Sequence, residues 1–301
     1  MTNSKNTLEG PEFSDIALGF WRLLQWRMTQ EELLSYMEEA IELGVTTFDH
    51  ADIYGDHQCE HAFGNALALR PSLRQKMQLV TKCGIKLLTP SDPHRKIKHY
   101  DLSRDHIIAS AERSLVNLKT DHLDVLLLHR PAPFWDPAEI ARAFEELRLS
   151  GKVLHFGVSN FTSAQFDTLQ SFCSFPLITN QVEISPLALD EFENGGLDLC
   201  LERRIRPMAW SPFAGGELFN PTGARAKRVS MTLRDIAQEL GSSSIDSIIV
   251  KWIMEHPARI IPILGTGKID RLRSAAASEN ITLGLENWYR IYVSSIGKDV
   301  P

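Results

Sequence analysis

The sequence predicts an α/β fold, a closed (β/α)8 TIM barrel in one domain, residues 1–301, on three observations. Short apolar runs alternate with helix-period stretches eight times along 301 residues. One run, Val125-Leu126-Leu127-Leu128, is continuously apolar, as suits a parallel strand buried on both faces. No clear linker, internal repeat or low-complexity segment interrupts the chain, and its length is near that usual for such a barrel.

The first strand is read at Ile16 to Trp21, followed by a helix from Thr29 to the Gly44 stop. Thr29 and Glu32 have capping-box spacing. Thr46 to His50 is the second strand, with a helix near Cys59 to Leu69. Met77 to Cys83 is the third, and Ser103 caps a helix that ends near Leu118. Leu123 to His129 is the fourth strand, with Pro137 in the first turn of a helix that runs to Leu149. Val153 to Ser159 with a helix from Thr162, and Leu177 to Glu183 with a helix from Leu189 to Arg203, make the next two units. Arg206 to Trp210 is the seventh strand, then helical stretches at Thr232 to Leu240 and Ser244 to Glu255. Arg259 to Leu264 is the eighth, with a helix from Ile269 to about Ser278. Leu87 to Tyr100 and Gly215 to Met231 are read as long surface loops beside the mouth, where long loops are often functional.

The net charge of -6 gives no electrostatic case for nucleic acid. Cys59, Cys83, Cys173 and Cys200 are widely spaced without a C-x-x-C pair, which fits free thiols in a reducing compartment. Met1 to Gly10 lacks a signal peptide's apolar core, and no run of about 18 apolar residues spans a membrane. A cytoplasmic protein without a membrane partner is expected.

Barrels of this kind do their chemistry at the C-terminal ends of the strands. Asp49 ends the second strand, with Tyr54 in the loop beyond it. Lys82 ends the third strand and His129 the fourth. Singly, each has a structural reading as turn former, surface cation or rim residue. Together, on three successive strands, they form a proton-handling cluster. No H-E-x-x-H or H-x-H pattern points to a metal.

Six motifs in order resemble the aldo-keto reductase superfamily over nearly the whole chain, in the manner of its bacterial short-loop oxidoreductases. They are Thr47-Phe48-Asp49-His50-Ala51-Asp52-Ile53-Tyr54-Gly55, Thr81-Lys82, Leu127-Leu128-His129-Arg130-Pro131, Gly157-Val158-Ser159-Asn160-Phe161, Asn180-Gln181-Val182-Glu183, and Ala209-Trp210-Ser211-Pro212-Phe213-Ala214-Gly215-Gly216. The resemblance starts at Leu18-Gly19-Phe20-Trp21 and ends at Arg271. It implies NADP(H)-dependent reduction of a small carbonyl compound, with Asp49, Tyr54, Lys82 and His129 as the catalytic tetrad. In that scheme Tyr54 is the general acid, Lys82 lowers its pKa, Asp49 holds Lys82, and His129 hydrogen-bonds the carbonyl oxygen.

The resemblance also implies the cofactor residues. Gly19, Phe20 and Trp21 bind the cofactor, Ser159, Asn160 and Gln181 hold its nicotinamide carboxamide, and Trp210 stacks on the nicotinamide ring. Ser211, Pro212, Phe213 and Gly215 run beside the pyrophosphate. Gly265, Thr266, Gly267 and Lys268 form the phosphate loop, and Arg271 contacts the adenosine 2′-phosphate. The chain departs from the pattern at Ser274-Ala275, where relatives carry an acidic residue and an asparagine against adenine, and at His50, which replaces a smaller residue and is read as packing. Trp21, Tyr54, His129 and Trp135 are expected to wall the substrate pocket. The protein is expected to be a monomer or weak homo-oligomer. Two other readings stand beside this one. A cofactor-binding regulatory or sensor subunit would show little turnover, and a metal-dependent hydrolase would need converging His and carboxylate ligands.

Overall fold

The computed structural model describes residues 10–89, 93–242 and 244–301. Eight parallel strands close into a barrel: β1 (Ala17–Gly19), β2 (Thr47–Asp49), β3 (Gln78–Cys83), β6 (Leu123–Leu128), β7 (Val153–Ser159), β8 (Leu177–Glu183), β9 (Met208–Trp210) and β10 (Ile261–Leu264), with β10 returning to β1. Two short strands, β4 (Ile85–Lys86) and β5 (His99–Tyr100), pair antiparallel outside the barrel. They lie at the borders of the stretch read as a surface loop; residues 90–92 of that stretch, like residues 1–9, lie outside the described residues.

The helices between strands are α1 (Gln30–Glu42), α2 (Cys59–Leu67), α3 (Arg104–Leu118), α4 (Pro137–Leu149), α5 (Ser163–Phe172), α6 (Asp190–Glu193), α7 (Gly196–Arg203), α8 (Ala224–Glu239) and α9 (Ile245–Met254), with α10 (Ile269–Ala276) and α11 (Leu285–Ile296) closing the chain. The Thr29 capping box forms in both directions, and Thr162 with Gln165 forms a second. Ser103 and Asp136 cap α3 and α4 with their side chains.

Three stretches differ from the sequence reading. The helix expected from Leu189 to Arg203 is broken at Gly195, whose φ of 83° is left-handed. The loop expected to reach Met231 ends early, because α8 begins at Ala224. Ala226, Val229, Leu233 and Ile236 give it one buried face, which Arg225, Lys227 and Arg228 mask in the sequence. α11 was not anticipated. It is anchored by two indoles stacked 5.2 Å apart, Trp252 and Trp288, each donating its N–H to the other's backbone carbonyl at 3.1 and 3.0 Å.

Two cores follow from strand alternation. Ala17, Val80, Val125, Leu127, Ile178, Met208, Ile261 and Ile263 fill the barrel, while Leu79, Leu126 and Leu128 pack outward on helices. The unbroken apolar run of β6 therefore serves both cores. The same parity sends Lys82 inward with Val80, and Asp49 inward because Phe48 faces out. A register shift between β7 and β8 pairs Phe156 with Leu177 but Val158 with Asn180, which gives β8 one extra residue. That bulge turns Gln181, three residues beyond inward-facing Ile178, to the interior as well.

Candidate active site

Lys82 is the centre of the site. Its side chain is buried, and Nζ donates to both Asp49 carboxylate oxygens at 2.8 Å, to the His50 carbonyl at 2.7 Å and to the Tyr54 hydroxyl at 3.2 Å. A buried ammonium costs several kcal/mol unless such partners surround it. Burial works against its charge, but Asp49 and Tyr54 outweigh that and hold it above the ordinary lysine value. Gln181 adds a 2.8 Å hydrogen bond from Nε2 to Asp49 Oδ1, so the carboxylate is fixed from β3 and from β8.

The loop after β2 delivers Tyr54. Asp52 N–H donates to the Lys82 carbonyl at 3.0 Å, and Tyr54 N–H to the Ala51 carbonyl at 3.1 Å. Gly55, Asp56 and His57 then run through left-handed φ values of 57°, 51° and 68°. Asp56 and His57 pay a steric penalty that glycine avoids. Burial raises the Tyr54 phenol above its ordinary value, and Lys82 pulls it back only partway. Lys82 acts in the direction read from the sequence, and burial outweighs it.

His129 faces Tyr54 edge-on, with ring centroids 5.9 Å apart. Burial, then the charges of Lys82, Arg130 and Lys98, hold its imidazole well below the ordinary value, so the ring is neutral at neutral pH. Its Nδ1 is buried without a partner among the described residues. His50 is a packing residue, as read. It faces the helices, stacks on Phe20 at 4.6 Å and meets the edge of Phe63 at 4.4 Å.

The residue pattern and this geometry agree with the comparisons. The model of the aldo/keto reductase family matches residues 15–293. The chain belongs to the aldo/keto reductase family. It is 50% identical over 293 residues to the oxidoreductase YdhF of Escherichia coli (strain K12), covering 97% of each chain. It is 41% identical over 292 residues to a 6-dehydroglucose reductase of Agrobacterium fabrum, covering 96% of each. The fold is shared with a crystallised thermostable aldo-keto reductase in complex with the inhibitor epalrestat, at a TM-score of 0.78 and 24% identity over 98% of this chain and 100% of that one. Membership makes this chain an oxidoreductase of a carbonyl-reducing family.

Further residues of this aldo/keto reductase gather at the same end of the barrel. Ser159 Oγ donates to the Gln181 carbonyl at 2.8 Å, and Asn160 Nδ2 donates to Ser159 Oγ at 2.7 Å. Trp210 Nε1 donates to Asn160 Oδ1 at 3.0 Å, which fixes the edge of the indole. Gln181 Oε1 accepts no hydrogen bond among the described residues. Ser211 and Gly215 both have left-handed φ, at 52° and 66°, in the loop that carries Pro212 and Phe213.

On the far side, Lys268 and Arg271 are exposed, and no side chain caps α10. Arg271 lies over Phe219 at 5.3 Å, which ties the loop after β10 to the loop after β9. Gly267 leaves no room for a side chain, since a Cβ would sit 2.5 Å from the Trp26 ring. Gly265 and the Thr266 backbone complete that loop, with the Thr266 carbonyl accepting from Tyr36 Oη at 2.5 Å.

The other expected residues take these places. Phe20 is wholly buried among Trp26, Phe48, His50 and Phe63, so only its backbone can face a ligand. A Cβ on Gly19 would meet Ile263 at 2.7 Å, so the position has no room for a side chain. Trp21 is 60% exposed under Arg22, and Trp135 stands edge-on to Phe161 at 5.8 Å. Ala275 is buried. Among the described residues no cluster of His, Cys, Asp or Glu could hold a metal ion, and no helix is long and apolar enough to cross a membrane.

Proposed function

We propose that this protein reduces aldehydes and ketones to alcohols with NADP(H), using Tyr54 as general acid. The observation that carries the reading is the buried Lys82 ammonium, held by Asp49 and 3.2 Å from the Tyr54 hydroxyl, beside a neutral His129. The residues fit the cofactor. Gln181 Oε1 is a free acceptor for a carboxamide, Trp210 is a fixed aromatic face, and two exposed cations stand by an uncapped helix start.

When bound, the nicotinamide supplies hydride to the carbonyl carbon. Negative charge then develops on the carbonyl oxygen. Neutral His129 hydrogen-bonds that oxygen, and an Nε2–H tautomer is favoured because Nδ1 has no partner to donate to. Tyr54 passes its proton to the oxygen, and the tyrosinate left behind is stabilised by Lys82. Burial keeps the phenol protonated throughout the neutral range, and Lys82 lowers the cost of releasing the proton. Arg271 and Lys268 receive the 2′-phosphate, and with Ser274-Ala275 in place of a polar pair the adenine is held less specifically. The whole chain acts as one cytoplasmic domain, a monomer or weak homo-oligomer.

The test is titration with NADPH and NADH, followed by quenching of tryptophan fluorescence, in wild type and Arg271→Ala. NADPH should bind more tightly, and the variant's loss should be confined largely to NADPH. Aldehyde turnover should fall about 10²- to 10⁴-fold in Tyr54→Phe. Nucleotide binding without Tyr54-dependent turnover would instead mark a sensor. Binding of neither nucleotide defeats the reading.

A further inference from the structure

Among the described residues, Arg130 is a cation at the mouth that the proposed chemistry does not use. Arg130 follows His129 where β6 ends, half-buried, with its guanidinium 5.7 Å from the centroid of the Trp210 ring. It makes no hydrogen bond or ion pair with the described residues. Two other half-buried arginines have their donors taken up by the protein. Arg74 reaches Asp124, Thr120 and two carbonyls, and Arg206 reaches Asp15 and two carbonyls. A guanidinium carries five N–H donors, and contact with a ring face uses none of them. None of its nitrogens is buried without a partner, so the donors stand open to water or to a ligand. Glu183, at the end of β8, feels the charge but makes no salt bridge, and burial keeps its carboxyl above the ordinary value despite the arginine. The charges of Arg130 and Lys98 both act on the His129 ring.

We infer that Arg130 is a specificity residue that receives a carboxylate on the substrate, so that the preferred substrates are small carbonyl compounds bearing a carboxylate. The inference rests on the reductase reading above. The guanidinium fork matches a carboxylate in two parallel hydrogen bonds, which gives orientation as well as affinity. Held beside His129, the carboxylate end of the substrate fixes which carbonyl face meets Tyr54.

The experiment compares kcat/KM for 4-formylbenzoate and its methyl ester, with NADPH, in wild type, Arg130→Met and Arg130→Lys. Wild type should favour the carboxylate about 10- to 100-fold. Arg130→Met should lose that preference through a rise in KM for 4-formylbenzoate, while the ester shifts about threefold or less, and Arg130→Lys should recover part of it. Equal turnover of the two compounds by wild type, or a parallel fall on both in Arg130→Met, overturns the assignment. So does a weakening of NADPH binding by the same factor, which would move Arg130 into the cofactor site. Absence of turnover on both compounds while NADPH binds defeats the reductase reading itself, whereas turnover without carboxylate preference defeats only the role of Arg130.

Discussion

Replacing Lys82 by methionine tests the centre of the site directly. The substitution removes three interactions together: the pair with Asp49, the bond to the His50 carbonyl and the contact with Tyr54. Asp49, 2% exposed, keeps only the hydrogen bond from Gln181. Breaking a buried pair by removing one partner costs about 3–5 kcal/mol, because the remaining charge is uncompensated. Against a typical domain stability of about 5–15 kcal/mol, that is a large fraction. Asp49→Asn/Lys82→Met should regain most of the loss, since it buries no charge. Neither variant should recover turnover, because both lack the cation beside Tyr54. Urea midpoints at constant m-value give the stabilities, and NADPH oxidation gives the rate. A Lys82→Met protein that loses less than about 1 kcal/mol, or that the second substitution fails to rescue, would refute the view that the pair is desolvated and mutually dependent.

Other expectations can be checked alongside. Burial, then the charge of Glu60, pushes the Asp52 carboxyl up to about 8, and its Oδ1 has no partner among the described residues. The folded protein thus keeps a proton that the unfolded chain releases near pH 4. Stability falls as pH rises between roughly 4 and 8, at up to about 1.4 kcal/mol per unit, so Asp52→Asn should gain on wild type across that window in denaturant titrations. His50 has the opposite sign: burial and then Lys82 bring it down to about 3. It stays neutral while the unfolded imidazole charges below about pH 6.5, and His50→Phe should flatten the acid limb of the stability profile. Gly64→Ala would put a Cβ 2.0 Å from the Asn117 carbonyl oxygen, where α2 meets α3. The helices must part, at about 1–3 kcal/mol or more, and a thermal midpoint equal to wild type would contradict that packing.

The barrel was legible because alternation of buried faces is written into each strand, and β6 shows it most plainly. Asp49, Tyr54, Lys82 and His129 were legible as a group because parallel strands bring their C-terminal ends together. The link between Gln181 and Asp49 was not, because it depends on a one-residue bulge in β8 that leaves no mark in composition. The start of α8 hid behind its basic face, and α11 behind aromatic residues only half-buried on α8 and α9. Arg130 was in view within a quoted motif, but its lack of partners is a property of three-dimensional packing.

The barrel closes where β10 meets β1, a pairing of only Ala17 with Ile263 and Leu18 with Leu264. Around that join, the Tyr36 hydroxyl reaches the Thr266 carbonyl across 230 residues, Trp26 covers Gly267, and Arg273 pairs with Glu39. The loop proposed to receive the cofactor's phosphates is therefore braced by the first unit of the chain and supplied by the last. Contacts this distant in sequence carry a large loop-closure cost and form late. A chain leaving the ribosome cannot shape this grip until its eighth unit has emerged. A nucleotide seated there would hold the two ends of the fold together and should slow the opening of the barrel at that join.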